Sequence, residues 1–137
     1  MKQIEIIPCP SSIIKKDGFY TISEKNIALS SLGINQKLKE KLANAFLCAG
    51  IKESISGIPV NIEIKTSLGD EESQKTEGYE LSVDKKGINI SAFNEKGAFY
   101  ACISASQLIA KTQGAIPFVE IEDKAAYKWR GFLLDTC

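Results

Sequence analysis

The sequence predicts an α+β fold: a mixed, largely antiparallel β-sheet with two long helices packed on it. Three observations carry this. Pro59 to Lys65, Tyr79 to Val83, Ile88 to Phe93 and Ile116 to Asp123 each alternate apolar and polar residues, the period of a half-buried strand. Two longer stretches, 34–49 and 94–110, repeat their apolar residues at three- and four-residue steps, the period of a helix with one buried face. The order strand, helix, strand from Ile88 to Ile121 makes a crossover unit, which places parallel strands in a sheet that also holds a hairpin.

Taken in order, Lys2 to Ile7 reads as an edge strand stopped by Pro8 and Pro10. Phe19 to Ile22 and Ile27 to Leu29 are two short strands separated by Ser23-Glu24-Lys25-Asn26. From Ile34 to Ala49, Ile34, Leu38, Leu42, Ala45, Phe46 and Ala49 form one face of an amphipathic helix. Gly50 stands where a left-handed C-terminal cap is expected. Thr66 to Gly78 is polar, and its Asp70-Glu71-Glu72 cluster lacks the spacing of a calcium loop, so it reads as a solvated loop. Tyr79 to Val83 and Ile88 to Phe93 pair as a hairpin across Asp84-Lys85-Lys86-Gly87, the glycine supplying the positive φ of a tight turn. Asn94 caps the second helix, whose Ala98, Ala101, Cys102 and Ala105 allow close approach and predict burial on more than one side. Gly114 ends it, and the last strand places Val119 and Ile121 on one face and Glu120 and Glu122 on the other.

Length and composition narrow the function. With 137 residues, 17 basic and 17 acidic, the chain fits one main core and has no basic stripe, so no nucleic-acid partner is expected. No apolar run approaches the ~20 residues that span a bilayer, and the first residues lack a signal-peptide core; no membrane partner is expected, and the chain reads as cytoplasmic as given, its localisation otherwise unknown. The four cysteines, Cys9, Cys48, Cys102 and Cys137, stand singly in a chain without histidine, so neither a metal site nor a cofactor is expected. Cys48 and Cys102 fall within helical apolar patterns and are expected to pack as small hydrophobes; whether any two cysteines pair is not readable from spacing. Asn89-Ile90-Ser91 matches a glycosylation acceptor but sits in a predicted strand and is read as chance.

The residues offer no catalytic constellation. Without histidine there is no Ser-His-Asp or Cys-His arrangement, and no glycine-rich phosphate loop occurs. Two motifs change the reading. Gly97-Ala98-Phe99-Tyr100 with Gln107-Leu108-Ile109 resembles the "Gly-Ala-Phe-Tyr-Gly … Gln-Leu-Leu" helix of family 20 glycoside hydrolases, the β-N-acetylhexosaminidases. Trp129-Arg130-Gly131-Phe132-Leu133-Leu134-Asp135-Thr136 resembles that family's "Arg-Gly-Leu-Leu-Leu-Asp-Thr" opening barrel strand. The departures, Ala101 for a glycine and Ile103-Ser104 for Gln-Thr, fall at packing positions of the helix.

The resemblance implies a zincin-like, non-catalytic N-terminal domain over residues 1–124, and in 125–137 the truncated start of a (β/α)8 catalytic barrel. The parent would hydrolyse terminal β-linked N-acetylhexosamines by a retaining, substrate-assisted mechanism. The fragment would hold no catalytic residue and be inactive alone. Its partners would be its own barrel and, for the parent, a small carbohydrate. The family's strand continues "Asp-Thr-Ser-Arg-His", with the arginine on sugar hydroxyls; here Cys137 takes the serine position and ends the sequence. Arg130 lies at the start of that strand, where barrel residues serve stability, so it is expected to pair with a carboxylate at the junction. Trp129, Phe99 and Tyr100 are expected to pack there. Asp135, nearer the active end, would support the sugar-contacting residues at most. Two alternatives stand beside this: the leading domain of another barrel glycosidase, such as an O-GlcNAcase or α-glucuronidase, and a stand-alone carbohydrate-binding or protein-interaction module.

Overall fold

A computed structural model describes residues 4–65, 77–127 and 131. The element order is β1 (Ser12–Thr21), β2 (Asn26–Leu32), α1 (Gln36–Leu47), β3 (Lys52–Glu53), β4 (Ile58–Ile64), β5 (Tyr79–Asp84), β6 (Gly87–Ala92), α2 (Glu95–Lys111) and β7 (Ala115–Asp123). The strands form one mixed sheet in the order β1-β7-β5-β6-β4-β2-β3. Antiparallel ladders join β1, β7, β5 and β6; parallel ladders join β6, β4, β2 and β3. The α+β fold expected from the sequence is the one observed.

Register explains how the sheet acquires two unlike faces. Leu29, Val60, Ile88, Val83 and Val119 pair in one continuous row across five strands, and all are buried. The adjacent row, Ser30, Asn61, Asn89, Ser82, Glu120 and Ile14, points to the opposite face, because successive side chains alternate. The apolar face takes both helices, which pack on each other and share one core with the strands. Burying one face while solvating the other fixes the register, since a one-residue slip would expose the whole apolar row.

Helix α1 buries Leu38, Leu42, Ala45 and Phe46, four of the six residues of the predicted face; Ala49 is exposed beyond its end. Asn35 caps its start by accepting the Leu38 N–H at 2.9 Å. At the other end Gly50, at φ +77°, lets Ile51 N–H reach Phe46 O at 3.1 Å and its own N–H reach Leu47 O at 2.9 Å, the Schellman arrangement. Cys48 lies in that C-terminal turn and is exposed, so its expected packing role does not hold; the helical pattern ends one residue before it. Cys102 is fully buried, as expected.

Helix α2 starts at its expected cap, Asn94, which accepts the Gly97 N–H at 2.8 Å. Nine of its residues are buried, including Ser104 and Ser106. It links β6 to β7, which are parallel with β5 lying between them, so the crossover skips one strand.

The chain start differs from expectation. Residues 4–7 form no strand: Gln107 and Lys111 of α2 take the Ile7 and Glu5 backbone groups, and Ile6 inserts into the core. The edge strand is β1 instead, bulged between Lys15 and Phe19, where Gly18 at φ +117° lies under the Phe118 ring. Among the described residues no helix is long and apolar enough to cross a membrane.

Candidate functional site

The sheet's open face is a broad depression of about 820 Å³, floored by the serine, asparagine and glutamate rows of β2, β4, β5, β6 and β7. Lys16 pairs with Glu120, Lys65 lies 4.0 Å from Glu80, and Asn61 donates to Asn89 at 3.1 Å. These are pairings of a solvated face. Among the described residues, no group of three or more metal-ligating side chains comes together.

The second concavity is smaller, about 340 Å³, and unlike the first it is mostly apolar around a polar floor. Four segments build it. Helix α2 contributes Tyr100, Ile103 and Ser104; the entry into β5 contributes Glu77 and Tyr79; Ile7 to Ser11 and the run from Asp123, at the end of β7, to Tyr127 form its sides. The helical period sets Tyr100, Ile103 and Ser104 on one stripe, since residues three and four apart are neighbours.

Tyr79 is 2 % exposed, and its hydroxyl lies 2.7 Å from Ser104 Oγ. Burial pushes its phenol up to about 12; the Ser104 bond works against this, and the negative charge of Asp123 adds to it. The phenol therefore stays protonated throughout the neutral range. Asp123 Oδ1 accepts two bonds from Ser11, from N–H at 3.0 Å and from the hydroxyl at 2.9 Å, which tie the chain start to the end of β7. Glu77, whose side chain is 17 % exposed, is met by Lys96 at 3.4 Å. A neutral phenol, a hydroxyl and carboxylates in an apolar setting are equipment for binding hydrogen-bond donors.

Of the residues singled out in the sequence, Phe99 and Tyr100 lie on α2 beside this groove. Their rings meet edge-on, centroids 6.1 Å apart at 65°, and Lys41 Nζ stands 5.9 Å from the Phe99 centroid. Tyr100 is 41 % exposed and Tyr127 is 74 % exposed. Trp129, Arg130 and Asp135 lie outside the described residues. Sequence reasoning passed over Tyr79, Ser104 and Asp123, which read there as face residues of a strand, a helix and a strand end.

Residues 3–124 match the model of glycosyl hydrolase family 20, domain 2. The chain belongs to that family. The beta-hexosaminidase of Porphyromonas gingivalis (strain ATCC BAA-308 / W83) is 33% identical over 152 residues, an alignment covering 99% of this chain and 19% of that protein. Beta-hexosaminidase B of Pseudoalteromonas piscicida is 30% identical, covering 97% of this chain and 17% of its own length. The family 20 domain thus spans about a fifth of the curated relatives it matches. Among solved structures, the Flavobacterium johnsoniae chitobiase shares the fold at a TM-score of 0.65 and 22% identity, over 95% of this chain and 22% of that one. CpGH84D shares it at 0.73 and 21% identity, over 96% and 26%.

Proposed function

We propose that this family 20 domain is the N-terminal supporting domain of a β-N-acetylhexosaminidase, and that its role is to buttress a catalytic barrel through α2. The match to the family's domain 2 carries the reading. That match ends at residue 124, immediately after β7, which supports a division into a domain over 1–124 and a barrel start at 125–137. The groove supports the docking role: α2 lines it with the exposed Tyr100 and the half-buried Ile103, beside the point where the chain leaves β7. On this reading Phe99, Tyr100, Trp129 and Arg130 form the junction, with Arg130 paired to a carboxylate, and Asp135 supports residues that hold the sugar.

The parent enzyme cleaves terminal β-linked N-acetylhexosamine with retention. The substrate's own acetamido oxygen attacks the anomeric carbon while a glutamic acid protonates the departing oxygen. Those groups belong to the region that follows. The test is hydrolysis of 4-nitrophenyl N-acetyl-β-glucosaminide by two proteins: the 137-residue chain, expected inactive, and the protein extended past Cys137, expected active. Turnover by the shorter one, or none by the longer, overturns the reading.

A further inference from the structure

Docking an apolar surface on α2 accounts for the rim of the groove but not for its floor. Two carboxylates, Asp123 and Glu77, line a cavity whose other walls are mostly apolar. Asp123 is met by neutral donors, two bonds from Ser11 to Oδ1 and the Tyr79 hydroxyl, none of which offsets its charge. The Glu77 partner, Lys96, has a side chain 75 % exposed and reaches in from solvent rather than filling the groove. Lys124, the lysine in the groove's own wall, is exposed. A carboxylate covered by an apolar surface is costly unless a cation is buried with it.

We infer that the floor at Asp123 is a socket for an arginine side chain presented by the domain that follows Tyr127, an inference that rests on the buttressing role proposed above. Charge complementarity selects a cation. The planar guanidinium matches a carboxylate through two parallel bonds, and it stacks on the aromatic rings that Tyr100 and Tyr127 bring to the rim. A lysine ammonium has neither property. Tyr79, held neutral, offers its oxygen as a further acceptor without adding charge. The location suits a clamp: the chain enters the following domain from this rim, so the socket fixes the two bodies at their hinge.

The test compares Asp123→Asn in the 137-residue chain and in the protein extended past Cys137. Asparagine keeps an oxygen for Ser11, removes the charge and turns the other oxygen into a donor that can face the Tyr79 hydroxyl. A small change is expected in the short chain. In the longer protein the unfolding temperature of this domain falls by roughly 5 °C more than in the short chain, as expected for exposing one unpaired buried cation. Glu77→Gln is the second variant and gives a smaller excess loss, since Lys96 already offsets that charge. Ile103→Ala, which trims the apolar wall and removes no group that would hold the arginine, separates the two ideas. If it destabilises the longer protein more than the short one while Asp123→Asn affects both equally, the socket is overturned and the buttressing stands. If neither variant distinguishes the two proteins, both are overturned.

Discussion

Gln107 holds the backbone of Ile7 from both sides: its Nε2 donates to the Ile7 carbonyl at 2.8 Å, and the Ile7 N–H donates to its Oε1 at 2.9 Å. A side-chain amide presents the same donor and acceptor pair as a neighbouring strand, so α2 takes the place of a ladder for this segment. Lys111 extends the clasp to the Glu5 carbonyl at 2.9 Å, one turn further along the helix. Gln107→Ala is expected to lower stability by about 1 kcal/mol, two exposed bonds being worth little more than one buried one. The larger effect is local: amide exchange at Ile6 and Ile7 rises while that of β5 and β6 is unchanged. Unaltered exchange at Ile7 would sink the idea.

The buried phenol of Tyr79 gives stability a definite response to alkaline pH. Its proton is held to about 12 in the fold against 10.0 ordinarily, so between those values the native chain binds more protons than the unfolded one. Stability is then fully present below pH 10 and is lost as pH rises toward 12. Cys102, raised from 9.0 to about 12 by burial, acts with the same sign from a lower starting point. Tyr79→Phe is expected to be less stable by about 1 kcal/mol at neutral pH, because Ser104 Oγ loses its partner. The gap between the two proteins should close across the alkaline window. Thermal unfolding followed against pH, with Cys102→Ala as the control for the thiol, checks this; a constant gap rules it out.

What the sequence disclosed depended on whether a signal was local. The β5–β6 hairpin and the cap at Asn94 were legible because alternation, turn glycine and cap lie within a few residues. Strand β1 was not. As a bulged edge strand its Ile14 faces solvent, leaving no alternation to read. Ile4, Ile6 and Ile7 suggested a strand, yet their outcome was decided by a glutamine 100 residues away. The groove was hidden for the same reason. Tyr79 meets Ser104 across 25 residues and Ser11 meets Asp123 across 112, separations that no spacing motif encodes.

Gly97 tests whether close approach outweighs helix propensity. Alanine in place of a helical glycine ordinarily stabilises by about 1 kcal/mol. Here a Cβ would lie 2.4 Å from the carbonyl oxygen of Gly78, the residue just before β5. That oxygen also accepts the Phe93 N–H at 3.2 Å, so it cannot shift without loosening the hairpin end. Gly97→Ala is therefore expected to destabilise by about 1–3 kcal/mol net, the range of overpacked interiors. Chemical denaturation giving a variant as stable as the parent would show that the helix start yields.

The three described cysteines should separate cleanly by reactivity. The thiolate is the nucleophile, so reaction with iodoacetamide requires both access and ionisation. Cys9 and Cys48 are exposed, the first beside the groove and the second in the turn closing α1. Cys102 is fully buried on α2 and its thiol is pushed up to about 12, so both requirements fail together. At mildly alkaline pH Cys9 and Cys48 should be alkylated in the native chain, and Cys102 only after denaturant unfolds it. Because the Cys102 barrier is unfolding itself, its labelling rate should track denaturant concentration while the other two do not. Peptide mapping after timed labelling reads the three sites separately. Early alkylation of Cys102 without denaturant would mean that α2 opens from the sheet on its own, and the same motion would break the Tyr79–Ser104 bond on the neighbouring turn.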